Sequence, residues 1–306
     1  MLPSPAEGGP DRSSAAGHSG ADHGFMAAPL AEAFGDTGSL SEASLRAGGC
    51  FARALPLDAT CAGTARRFFR EAVAGIGLPG DLIHDGITMA SELAANTLHA
   101  QGNVEFSGAS QKPVSGFPEL WMYLRGSGAQ CELVCKVFDS QPGWKTGGLP
   151  DVKVRTSRGE NGRGLQVVDG LSAGEWGAHL TRGRLGSWKV SGKAVWFALR
   201  VPPGCDAARF GRSEFTPCQA VSELEAMLGS RGLGGRLVRA DESDAGISVL
   251  SVSRDVTVWC HSGQASWRAA DGTYQRKSLA DLVDVAEQIV WAHEELRSAA
   301  IAGLGV

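Results

Sequence analysis

Asp85, Thr88, Glu92, Asn96 and His99 follow one another at intervals of three and four residues. On an α-helix that spacing puts them on one face. Glu92 and Asn96, one turn apart, pair a proton acceptor with a carboxamide that can ligate a cation. A solvated stripe on an amphipathic helix has the same spacing. Against it, Asn is a weak mid-helix residue, and Glu92 and Asn96 flank Leu93, Ala94 and Ala95. Two further places could hold a ligand. Cys131, Leu133, Cys135 and Val137 alternate as one face of a strand, and Asp139 comes next on that face. A carboxylate there could accept a hydrogen bond from a buried ligand, while Asp139-Ser-Gln-Pro142 is equally good turn chemistry. Lastly, Glu160-Asn-Gly-Arg-Gly-Leu165 opens a helix after a Gly-rich stretch. Glycines at a helix N-terminus leave N–H groups open to phosphate oxygens. A Gly-rich helix entry with no ligand has the same look.

The elements that must carry these residues can be read from periodicity. Residues 1–47 are rich in Gly, Ala, Ser and Pro without apolar period, as in a disordered tail. A strand over Phe51–Leu57 leads to a helix with Ala65, Phe68, Phe69, Ala72 and Ile76 on its apolar face. A second helix is predicted over Asp81–Ala100, its apolar stripe being Ile83, Ile87, Ala90, Ala94 and Thr97. Strands are predicted at Asn103–Gly108, Phe117–Arg125, Cys131–Asp139, Glu175–Arg182 and Ala194–Val201, with a short helix at Arg163–Leu171. Helices early and strands in runs indicate an α+β sandwich.

Residues 204–216 read as a linker between a domain over 48–203 and a smaller α+β domain over 217–300. The smaller domain has helices at Cys218–Arg231 and from about Leu282, with strands at Gly235–Ala240, Ile247–Val252, Val256–Cys260 and Ala265–Ala270. Ser278 and Asp281 resemble a capping box. Trp259, Trp267, Tyr274 and Trp291 could form a binding surface, but aromatic residues in a small domain more often fill its core.

Composition narrows the classes. A length of 306 residues suits one large domain or two ordinary ones. No apolar run approaches the roughly 18 residues of a membrane span, and Pro29 and Glu32 interrupt the one N-terminal candidate for a signal peptide. A net charge of −4 without a basic stripe argues against direct nucleic-acid binding. Seven scattered cysteines, with no Cys-x-x-Cys pair, fit free thiols better than zinc or disulfides. A cytoplasmic location is expected.

Taken in order, Glu92-Leu-Ala-Ala-Asn96, the strand ending in Asp139, and Gly162-Arg-Gly-Leu165 resemble the N, G1 and G2 boxes of the Bergerat-type (GHKL, histidine kinase-like) ATPases. Gly192-Lys-Ala-Val-Trp-Phe-Ala-Leu199 and Phe51–Arg70 look like the anti-sigma-factor serine kinases within that family. The resemblance spans about residues 50–201 and implies the family's α/β sandwich with ATP and Mg²⁺. It implies Glu92 as catalytic base, Asn96 on Mg²⁺, Asp139 on the adenine amino group, and Gly162 and Gly164 on phosphates. Gly143, Arg163, Leu165 and Lys193 join the implied nucleotide-binding set, and residues 140–161 become a lid. Gln141 stands where the G1 box has its first glycine, and His99 comes three residues after Asn96 and is given no role. The implied activity is transfer of the ATP γ-phosphate to serine or threonine of a regulatory protein, such as a sigma factor or an anti-sigma antagonist. A second copy of the chain is a further candidate partner. Two alternatives stay open: an ATP-binding switch that sequesters a partner without phosphorylating it, and an interaction protein whose boxes have decayed.

Overall fold

The computed structural model describes residues 45, 49–105, 116–141, 163–186, 189–205, 214–242 and 244–303, those of 99–105 by their backbone alone. Among these the fold is mixed α+β, with two antiparallel five-stranded sheets and five helices. No helix among the described residues is long and apolar enough to cross a membrane.

The first sheet contains β1 (Cys50–Ala54), β2 (Glu119–Arg125), β3 (Glu132–Asp139), β4 (Trp176–Arg182) and β5 (Ser191–Arg200), ordered β1-β2-β3-β5-β4. Helices α1 (Cys61–Val73), α2 (Gly80–Glu105) and α3 (Arg163–Leu171) belong with it. α1 buries Cys61, Ala65, Phe69, Ala72 and Val73, the three-and-four spacing of one helical face. α2 packs across it closely enough that a β-carbon at Gly86 would overlap the Phe69 ring. A mid-helix glycine is weaker than alanine by about 1 kcal/mol, and here the close helix crossing requires it. Leu133, Cys135 and Val137 of β3 and Phe197 and Leu199 of β5 complete this core.

The expected strand at Asn103–Gly108 is corrected in part. Residues 103–105 continue α2, and 106–108 lie outside the described residues. Gly102 and Asn103 are weak helix formers, yet extending an existing helix fixes only one residue per added bond.

The second sheet is a meander of β6 (Val238–Glu242), β7 (Ile247–Ser251), β8 (Thr257–His261), β9 (Gln264–Arg268) and β10 (Tyr274–Ser278). β10 was missed from sequence. Its inward positions Gln275 and Lys277 are polar, so it shows no apolar alternation. α4 (Pro217–Leu228) begins in a capping box in which Thr216 Oγ1 accepts from Gln219 N at 3.3 Å, while Thr216 N donates to Gln219 Oε1 at 3.0 Å. Ala220, Val221, Leu224 and Leu228 of α4 pack with Leu250, Val258, Cys260, Ala265 and Trp267 of the sheet.

α5 (Leu282–Gly303) serves both sheets. Leu282, Val285, Ala286, Ile289 and Ala292 join the second core. Val283 joins the other face of the first sheet, beside Trp121, Tyr123, Val134 and Phe138. The first sheet is therefore covered on both faces, the outer one by α5. The cap before α5 also differs from expectation. Ser278 Oγ accepts from Ala280 N in a 3₁₀ turn, and both Asp281 oxygens accept from Gly126 N at 3.2 and 3.3 Å.

Candidate functional site

Glu92 and Asn96 are half-buried on α2. They sit against the first turn of α3. A β-carbon at Gly164 would lie 2.8 Å from Glu92 Oε2 and 3.3 and 3.5 Å from Asn96 Nδ2 and Oδ1. Only a residue without a side chain leaves those groups in place. Three residues from two separate segments are thus brought together beside the start of α3, where the first N–H groups of a helix have no intrahelical acceptor. Arg163 opens α3 and is exposed, and Leu165 packs on the first core. Gly143 and Gly162 lie outside the described residues, as does the expected lid apart from Ser140 and Gln141.

Asp139 ends β3 opposite Lys193 of β5, on the face covered by α1, α2 and α3. Its Oδ2 accepts from Lys193 Nζ at 2.9 Å and its Oδ1 from Gln141 N at 2.9 Å. Lys193 Nζ also donates to Gln141 O at 2.8 Å. Both side chains are buried. The bond to Gln141 N is the Asx turn that the sequence allowed. The ion pair with Lys193 was not foreseen. An ionised carboxylate has about four lone-pair sites, and these two bonds use two of them.

Sequence reasoning missed a second set of polar residues on the outer face of the same sheet. Glu287 of α5 accepts from Lys136 Nζ at 3.3 Å, from Arg184 Nη2 at 2.9 Å and from Arg231 Nη1. Burial pushes its carboxyl up, but Arg231, Lys136 and Arg184 outweigh that and hold it well below the usual range. His179 lies with Nε2 3.1 Å from Lys136 Nζ, Nδ1 3.0 Å from Leu180 O, and its ring stacked on Trp291. A neutral ring protonated at Nδ1 satisfies both bonds, and burial beside Lys136 pushes its pKa down to about 3. Asp284 accepts from Tyr123 Oη at 2.9 Å and Lys277 Nζ at 2.6 Å. Glu294 accepts from Arg182 Nε at 2.7 Å and Arg297 Nη2 at 2.8 Å.

Two signals pointed there. Lys136 interrupts an apolar strand, and Asp284, Glu287, Trp291 and Glu294 share one side of α5. Removing one partner from such a buried set is strongly destabilising. The set can therefore fix how α5 sits on the sheet.

Among the described residues no group of three or more His, Cys, Asp or Glu could hold a metal ion. The seven cysteines are all free, and six are buried. Compared with known proteins, the chain matches no family model and no curated protein.

Proposed function

We propose that residues 48–203 form an ATP-binding domain of the Bergerat type and that the protein is a regulator that phosphorylates a partner protein. The observation that carries this is the convergence of Glu92, Asn96 and Gly164. The first and third boxes of the resemblance require that proximity, and neither local sequence imposes it. Asp139 lies on the face of the first sheet that α1, α2 and α3 cover, with acceptor capacity for an amino group.

The donor set suits the ligands. Asn96 supplies a carboxamide oxygen, and Mg²⁺ takes few protein ligands where phosphates supply the rest. When bound, the ion neutralises charge on the phosphate oxygens. The residues of the chain do the remainder. Gly164 brings backbone N–H groups of α3 close to Glu92 and Asn96, and Glu92 accepts the proton of the acceptor hydroxyl. That oxygen bonds to the γ-phosphorus, the bond to the β–γ bridging oxygen breaks, and ADP leaves with the electron pair. Acceptors fitting this scheme are serine or threonine on a sigma factor or an antagonist of one.

Asp139 bonded to Lys193, with Gln141 in a glycine position, favours one competing reading: an interaction protein that no longer takes the nucleotide. An intermediate case is a switch that binds ATP and sequesters its partner without transfer. Radiolabelled ATP with candidate partners tests the proposal. Transfer should fall by roughly two to four orders of magnitude in Glu92→Gln if Glu92 is the general base. A wild-type protein that binds Mg-ATP and its partner but never labels it is the switch.

A further inference from the structure

The inward face of the second sheet is buried on α4 and α5, and among the described residues its outward face carries exposed side chains. Two cross-strand rows run unbroken across that outward face. One is Ala240, Val249, Trp259, Ser266 and Arg276, and the next is Glu242, Ile247, His261, Gln264 and Ser278. Val238 stands at the β6 end of a third row and Tyr274 at its β10 end. Three large apolar side chains are exposed there: Trp259 at 49%, Val238 at 66% and Tyr274 at 79%. The expectation that these aromatics fill the core holds for Trp267 and fails for Trp259 and Tyr274. Exposed apolar groups gathered on one sheet face mark an interaction surface more often than scattered ones do.

We propose that this face binds the same face of a second copy of the chain. The charges argue for it. Arg268 and Arg276 lie on the β9–β10 side, and Glu242 lies on the β6 edge, so basic and acidic groups occupy opposite edges of one surface. A two-fold axis parallel to β8, in the plane between two facing sheets, exchanges the β6 and β10 edges and returns β8 to itself. Trp259 then meets the second copy's Trp259 at the centre. Val238 faces the second copy's Tyr274, and Arg276 comes beside the second copy's Glu242. Trp259, the Val238–Tyr274 pair and the Arg276–Glu242 pair all gain partners from one symmetry operation, as an isologous interface requires. A nucleic-acid strand would find the aromatics and arginines but would also meet Glu242.

Five strands of five residues span about 24 by 17 Å. That is smaller than the roughly 800 Å² per partner of a typical stable interface, so the association is weak and depends on concentration. It is independent of the nucleotide reading.

Sedimentation of the full chain over the micromolar range tests it. The average mass should rise from the 31.9 kDa monomer toward twice that value. Trp259→Ser should weaken association at least about tenfold, as expected for a central aromatic anchor. Arg276→Glu should do the same, and Arg276→Glu with Glu242→Arg should regain most of the loss. Arg276 is exposed, so its variant reports on the face even if Trp259→Ser disturbs the sheet. Three results would overturn the proposal: a monomer at every concentration, as expected if another kind of partner covers the face; a dimer indifferent to both single variants; or a double variant no tighter than Arg276→Glu.

Discussion

Lys193 Nζ donates to Asp139 Oδ2 at 2.9 Å across the β3–β5 pair, and both side chains are buried. Any change at Asp139 therefore also breaks an ion pair.

Leaving one member of a buried pair uncompensated costs about 3–5 kcal/mol. Asp139→Ala and Lys193→Met should each lose stability on that scale in a denaturant titration. The double variant Asp139→Leu/Lys193→Met should recover most of it, because an apolar pair replaces a desolvated one. If Asp139 also grips adenine, the stable double variant should bind ATP weakly and no longer prefer it to GTP. A loss in the double variant equal to the sum of the two single losses would show that the pair is not coupled.

Gly164→Ala isolates the site from the fold. Alanine is the better helix former by about 1 kcal/mol, which offsets displacing the end of the flexible Glu92 side chain. Thermal stability should change little. ATP affinity should fall at least about tenfold (about 1.4 kcal/mol), since the added methyl crowds the Asn96 carboxamide proposed to hold Mg²⁺ and the phosphates beside the start of α3. An unaltered affinity would place the phosphates elsewhere.

Acid should loosen the outer face before it affects the carboxylates. His179 is held neutral, with its pKa lowered to about 3 by burial and Lys136. The unfolded chain takes up that proton near pH 6.5, so stability falls as pH drops from 6.5 toward 3. Burial pushes Glu294 up, but bonds from His293 and Arg297 outweigh it and hold it at about 2. Its contribution is full above about pH 4.5 and is lost as pH falls toward 2. Unfolding free energy should thus decline from pH 6.5 downward, by at most about 1.4 kcal/mol per unit for His179. His179→Gln should flatten the curve between pH 6.5 and 5 and leave the lower limb. A wild-type curve already flat in that interval would mean His179 is charged in the fold.

Cys218 is the exposed thiol among the seven, and the other six are buried. Burial pushes the Cys61 and Cys260 thiols up to about 11. An aromatic disulfide reagent should titrate one thiol quickly in the native protein and all seven after denaturation. Cys218→Ser should abolish the fast phase.

The sequence makes legible whatever has a local period. β3 and α3 follow their apolar spacing, and Glu92 and Asn96 share a face because four residues make about one turn. The pairing of Gly164 with those two has no local period behind it and was only implied by the resemblance. Lys193 with Asp139 was not, since the pairing needs the register of β3 against β5. The acidic side of α5 looks like a solvated stripe until its cations are seen to come from β3 and from residues 182, 184 and 231. Nothing near Glu287 in the chain announces Lys136. Trp259 and Tyr274 were assigned to the core by residue type, and only the strand register reveals which way they point.

The account stands most directly on nucleotide binding, and calorimetric titration of the full chain with ATP and ADP, with and without Mg²⁺, measures it. One ATP should bind per chain, more tightly with Mg²⁺. Asn96→Ala should remove the Mg²⁺ dependence, and Glu92→Gln should leave affinity nearly intact. Folded wild-type protein that binds neither nucleotide, with or without the metal, would contradict the account and leave a chain that acts through its surfaces alone.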